Sequence, residues 1–192
     1  MRYASLLCAG FVIAGLASTA AAQGKSIDVQ SSSLTIHVGK AGLFSAAGHE
    51  HWVTARILSG MVDETGATAS VRFAVEAARL EVKPEKATSA ADLVQVQSNM
   101  QTKVLESSRY PEIVFQSTHV ERTGGAAWKV DGNLILHGVT RPLIFDVRRE
   151  NGAYIGMARI KQTDFGIQPI RVGGGLVTVK NELDIRFEVY CL

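Results

Sequence analysis

Cysteine is nearly missing from this 192-residue chain, with only Cys8 and Cys191 present. Cys8 falls inside an N-terminal leader, so one thiol remains in the folded part. A lone thiol cannot staple a fold, and stability has to come from an apolar core and sheet pairing. Runs of like charge are missing as well. Twenty Lys and Arg against 18 Asp and Glu give a formal net charge of +2. Without a basic or acidic block, nucleic-acid binding and polybasic docking on a membrane surface lose their electrostatic basis. Beyond residue 22 no apolar run is long enough to span a bilayer, so no integral membrane segment is expected in the mature chain. Nucleophile motifs are also lacking. There is no Gly-x-Ser-x-Gly elbow, and Ser45, Ser107 and Ser117 have no comparable context. Gly173-Gly174-Gly175 lacks the Lys-Ser/Thr that completes a phosphate loop and reads as a flexible connection. No pair of carboxylates is placed for acid–base work, and no enzymatic activity is expected.

What is there begins with the leader. Met1-Arg2 supplies a positive start, Leu6 to Ala17 an apolar stretch of secretory length, and Ala20-Ala21-Ala22 a small-residue cleavage pattern. These features predict a secretory signal over 1–22, a mature start at Gln23 and a single domain over 23–192. In a Gram-negative cell the destination is the periplasm.

The mature sequence alternates. Leu34, Ile36 and Val38 oppose Thr35 and His37, and Val71, Phe73 and Val75 oppose Ser70 and Arg72. Leu143, Phe145 and Val147 oppose Asp146 and Arg148. Val177, Val179, Leu183, Ile185, Phe187 and Val189 oppose Lys180, Glu182, Asp184, Arg186 and Glu188, with Asn181 a polar intruder on the apolar stripe. One apolar and one charged face mark antiparallel sheet that is wet on one side. Gly66, Gly124-Gly125 and Asn151-Gly152 separate the runs, the last as a short hairpin signal. Eight or nine strands joined by short turns predict an all-β, antiparallel up-and-down barrel of about eight strands, with an open sandwich as the structural alternative. One segment differs. Ser89 is placed as an N-cap and Asp92 in the first turn, while Leu93, Val96, Met100 and Val104 recur at helical spacing. They predict one short helix near 89–107, ended by Pro111.

Several segments together resemble the YceI-like, polyisoprenoid-binding family of bacterial periplasmic proteins. They are Gly42-Leu43-Phe44-Ser45, Leu80-Glu81-Val82, Tyr110-Pro111-Glu112-Ile113-Val114-Phe115-Gln116-Ser117, the run from Asp131 to Pro142 containing Leu134-Ile135-Leu136-His137-Gly138-Val139-Thr140-Arg141, and Thr163-Asp164-Phe165-Gly166-Ile167. The resemblance implies a lipocalin-like barrel with an apolar tunnel. It also implies a ligand, an isoprenoid lipid or a quinone tail, with no other cofactor. The chain departs from the commoner family pattern at Gly48-His49-Glu50-His51-Trp52 and at Gln162.

Phe44, Phe73, Met100, Phe115, Phe145, Phe165 and Phe187 all fall on or beside apolar stripes and are the candidate lining of such a tunnel. His49 and His51, two apart in an extended segment, share a face. With Trp52 they are read as polar residues at a barrel mouth, placed to meet a ligand headgroup. Neutral imidazoles also suit zinc, copper or haem iron, so the alternative function is a metal- or haem-linked redox or stress protein built on His49 and His51. No third ligand is evident nearby, and a metal site needs three or four. His137 reads as a turn-stabilising residue, His119 as a surface residue and Asp164 as a turn former. Cys191 shares a face with Val189 and reads as a small hydrophobe, with pairing into a homodimer as the alternative.

Overall fold

The computed structural model describes residues 24–41, 50–64, 69–85, 88–172 and 177–192. Phe44 and His49, the Gly66 turn, Gly173-Gly174-Gly175 and the leader lie outside them. Among the described residues twelve strands form one antiparallel sheet: β1 Lys25–Ser26, β2 Ser33–Ala41, β3 His51–Ala55, β4 Ile57–Asp63, β5 Ser70–Glu76, β6 Glu81–Val82, β7 Glu112–Gly124, β8 Ala127–Leu136, β9 Val139–Glu150, β10 Ala153–Lys161, β11 Arg171–Val172 and β12 Val177–Val189. The strand order is β1-β4-β5-β7-β8-β9-β10-β12-β2-β3-β6, with β11 also on β12.

Inside the two short terminal strands of that path, β4 and β3 are one piece of chain. Only Arg56 separates β3 from β4. β3 pairs with β2, and β4 pairs with β5. A single bent segment therefore belongs to both edges of the sheet and draws it into a barrel. Counted once, it brings the long strands to eight, each beside its sequence neighbour. The excess over the expected eight or nine comes from this bend and from three two-residue strands. At the far edge Ile27 bridges to Cys191. There the Asp28 N–H donates to Tyr190 O at 2.8 Å, and the Leu192 N–H donates to Ser26 O at 2.9 Å. The first and last described residues thus gather at one end of the barrel, here called the terminal end.

Local chemistry sets the corners. Asn151 (φ 49°) and Gly152 (φ 86°) make the expected two-residue hairpin between β9 and β10. His137 (φ 53°) and Gly138 (φ 72°) do the same between β8 and β9. The His137 ring is held there by three neighbours: Nε2 lies 3.1 Å from Glu106 Oε1, Nδ1 lies 3.3 Å from Phe165 O, and the Tyr110 ring centroid is 4.4 Å away.

The helix appears where its spacing predicts. α1 spans Ala90–Asn99 and continues as one wide i→i+5 turn over Met100–Val104. Ser89 Oγ accepts the Asp92 N–H at 3.1 Å, closing the N-cap. Two glutamines tie this helix to the sheet. Gln97 Nε2 donates to Leu80 O and Gln97 Oε1 accepts the Val82 N–H, both at 2.8 Å. Gln101 Nε2 donates to Leu80 O at 3.1 Å. Val96, Met100 and Val104 face inward, so the helix covers the end of the barrel opposite the termini, called the helix end below.

Candidate site: an apolar cavity along the barrel

The inward stripes do not close on one another. They surround a cavity of about 570 Å³ that reaches from Lys40, His51 and Gln162 at the helix end to Glu64 and Trp128 at the terminal end. The volume falls in the range of small-molecule sites, roughly 300–1,000 Å³. Aliphatic and aromatic side chains make up almost all of its wall.

An aromatic belt crosses the middle. Phe73 and Phe115 have ring centroids 5.6 Å apart, Phe115 and Phe145 5.2 Å, and Phe145 and Phe187 5.3 Å. Each such pair adds about 0.5–1.5 kcal/mol beyond burial. The belt steps over β8 and β10 because the inward positions there are Gly132 and Gly156. A Cβ on Gly132 would sit 2.6 Å from Gln116 O and collide with the Phe115 ring, and one on Gly156 would sit 2.6 Å from Asp146 O and collide with the Phe187 ring. Rings that approach the backbone this closely over glycine are held against the wall.

The candidate lining residues divide accordingly. Phe73, Met100, Phe115, Phe145 and Phe187 line the cavity. Phe165 does not belong to this wall. It is buried at the end of a 3₁₀ turn, Gln162–Phe165, packed in the core with its carbonyl beside His137. The alternation that marked Phe165 as inward does not extend into that turn. Phe44 lies outside the described residues.

The polar residues grouped at the mouth also separate. His51 lines the cavity at the helix end. Trp52, the next residue, faces outward. Its ring lies 4.6 Å from that of His37 and 5.5 Å from the Arg186 guanidinium. His37 Nε2 is 3.0 Å from Glu50 Oε2, and this hydrogen bond holds the Glu50 carboxyl below the usual carboxylate range. Strand alternation thus sends His51 and Trp52 to opposite faces. Among the described residues no group of three His, Cys, Asp or Glu side chains converges to hold a metal; His49 lies outside them.

Polar groups also meet the apolar interior or border it. Gln162 is buried, with Nε2 donating to Lys180 O at 2.8 Å. Asn181 explains the polar intruder on the last stripe: the β2–β12 register shifts between Val179 and Leu183, and at this irregularity Asn181 accepts the Thr163 N–H at 3.0 Å and donates to Thr163 Oγ1 at 2.9 Å. The Tyr154 hydroxyl is buried without a hydrogen-bond partner among the described residues, at a typical cost of about 1–3 kcal/mol. Arg122 and Arg149 lie over the Trp128 and Tyr154 rings, with guanidinium carbons 5.6 and 5.5 Å from the ring centroids. Cys191 is a free, half-buried thiol packed against the core, and burial pushes its pKa up.

Known proteins share this architecture. A polyisoprenoid-binding domain from Saccharophagus degradans superposes with a TM-score of 0.59 at 14% identity, covering 86% of this chain and 96% of that one. BcnA from Burkholderia cenocepacia superposes with a TM-score of 0.53 at 18% identity, covering 85% and 98%. A UPF0312 protein of Pseudomonas savastanoi pv. phaseolicola is 29% identical over 124 residues, and one of Pseudomonas putida is 33% identical over 94 residues. These alignments cover 59% and 44% of this chain, and 62% and 47% of the two relatives. The family model for the YceI-like domain matches residues 24–191, essentially all of the barrel, and the chain belongs to that family.

Proposed function

We propose that this protein is a periplasmic binding protein, without catalytic activity, that holds an isoprenoid or similar long apolar chain in the barrel. The observation that carries the reading is the cavity of about 570 Å³, walled by apolar side chains along the barrel's length. A filled core would be the default for a barrel of this size, because interiors pack to crystal-like density. Wall glycines at 132 and 156, which let two phenylalanine rings approach the backbone closely, oppose such filling. The fold shared with a polyisoprenoid-binding domain adds the ligand class. Export rests on the leader pattern of residues 1–22, which would be removed before Gln23.

Energetics set a minimum tail length. Burial contributes about 0.8 kcal/mol per CH₂, against roughly 4–15 kcal/mol lost on association. About twenty buried carbons are needed to clear the upper end of that cost. Protein purified from its native periplasm should release one long-chain lipid per barrel on chloroform–methanol extraction, detected by mass spectrometry. Intact-mass measurement of the same sample should place the first residue at Gln23. A barrel purified from that source with nothing extractable would refute the binding role.

A further inference from the structure

The barrel wall is not bonded evenly. β8 pairs with β9 from Ala127↔Arg148 to Leu136↔Val139, and β10 pairs with β12 from Tyr154↔Val189 to Lys161↔Glu182. Between these two ladders, β9 and β10 share only four pairs, from Ala153↔Glu150 to Gly156↔Val147. Both strands continue past that point, β9 back to Val139 and β10 on to Lys161. Residues 139–146 and 157–161 thus have a ladder on one side and none on the side where the two strands face each other. Five strand residues span roughly 17 Å. A seam of about that length interrupts the main-chain bonding of the wall.

Side chains close what the main chain leaves open. β10 runs directly into the 3₁₀ turn Gln162–Phe165, which packs against β9, β10 and β12. From β9, Arg141 Nε donates to Asp164 O at 2.8 Å, and from the β8–β9 turn His137 Nδ1 lies 3.3 Å from Phe165 O. From the β12 side, Gln162 Nε2 donates to Lys180 O and Asn181 Oδ1 accepts the Thr163 N–H. The turn therefore sits across the end of the seam away from the ladder. Phe165 and Ile167 are buried there, yet neither lines the cavity. The seam itself is apolar on both sides. Leu143, Phe145, Ala158 and Ile160 line the cavity behind it. Ile144 and Met157 alternate with them, face outward and are 59% and 51% exposed. Scattered exposed hydrophobics are ordinary, but these two flank unbonded wall that leads to an apolar cavity.

We propose that the apolar chain enters and leaves the cavity sideways, through the seam between β9 and β10, with the Gln162–Phe165 turn as its gate. The inference rests on the apolar-chain reading of the cavity. A long tail threaded from an end of the barrel has to pass the aromatic belt carbon by carbon. A lateral seam admits it along its length, and Ile144 and Met157 give it an apolar surface to meet first. Opening breaks side-chain bonds to one short turn and no strand ladder, so it is a local event that needs less than global unfolding. Arg141 is the clasp, because it ties β9 to the turn across the seam.

Stopped-flow exchange of a C20 prenyl chain carrying an environment-sensitive fluorophore tests this on the purified protein. Ile144→Cys and Arg159→Cys, made together with Cys191→Ser, place one thiol on each side of the seam. A short bis-maleimide then bridges them after folding, so the lock does not depend on how the variant folds. Bridging should slow both association and dissociation at least tenfold while the dissociation constant stays within twofold of the unbridged protein. Arg141→Gln, which removes the clasp, should speed dissociation severalfold. Unchanged rates in the bridged protein overturn the seam as the route and assign entry to an end of the barrel, leaving the tail-binding role intact. Unchanged dissociation in Arg141→Gln overturns the turn as the gate. Failure of the wild-type protein to bind the prenyl chain at all removes the apolar-chain reading together with this one.

Discussion

Single residues show how the outer wall is charged without being strongly stabilised by its charges. Arg159 Nε donates to Asp184 Oδ1 at 2.5 Å across β10 and β12. This hydrogen bond, with the guanidinium charge beside it, holds the Asp184 carboxyl below its ordinary value. A depressed folded-state pKa stabilises the fold above the unfolded value, about 3.9, and that contribution is lost as pH falls through the lower folded value. The pair is solvent-exposed, so water and salt screen it and its contribution is small. Asp184→Asn should lower the melting temperature slightly at pH 7. The gap to wild type should close as pH falls below about 4, in thermal melts followed by circular dichroism. A gap that stays constant as the carboxylate protonates would show that its charge contributes nothing.

At the scale of the element, the wall glycines matter more than any one apolar side chain. β10 presents Gly156 under Phe187, and β8 presents Gly132 under Phe115. Neither has a positive φ, so turn geometry is not what calls for glycine at these two positions; the close approach of ring and backbone is. Gly156→Val should push Phe187 off the wall into the cavity. Overpacking of this kind costs about 1–3 kcal/mol. The variant should melt lower in urea and bind a C20 prenyl chain at least tenfold more weakly, as read by titration calorimetry. Unchanged binding would mean that the ring has somewhere else to go. The helix follows another logic. α1 carries no buried residue of its own, and it is fixed by Gln97 and Gln101 to the backbone of residues 77–82 as much as by its apolar stripe.

For the molecule as a whole, one bent segment at Arg56 and the Ile27–Cys191 bridge draw an open meander into a barrel around a cavity. The length of that cavity should appear as a dependence on tail length. In a series of prenyl alcohols from C10 to C40, affinity should rise by about 0.8 kcal/mol per buried carbon and then level off once the tail outgrows the barrel. A series with no plateau would point to adsorption on the surface. Much of this architecture was legible beforehand. The Leu143–Val147 and Leu183–Val189 stripes, the Asn151-Gly152 hairpin and the Ser89 cap all appear where their spacing put them. The candidate site was less legible. Alternation carries Phe73, Phe115, Phe145 and Phe187 to the cavity, but it counts correctly only while register holds. Between Ser117 and His119 the β7–β8 register slips by one residue. Before the slip the odd positions Ile113 and Phe115 face inward; after it the even positions Val120 and Arg122 do. Arg122 therefore reads as outward by simple parity. Arg149 continues the 143-145-147 stripe directly and was legible there, masked only by its charge.

The sequence by itself determined an antiparallel sheet with one apolar face, the short helix and the family, because alternation, capping and turn residues act within a few positions of one another. Only the tertiary structure decided that the apolar faces enclose a cavity instead of meeting. It also packed Phe165 away from the cavity and brought Arg122, Arg149 and Glu64 to one rim. Those outcomes depend on where strands bend and slip and on which ring lies over which glycine. They are set by contacts between residues far apart in the chain, and no local pattern records them.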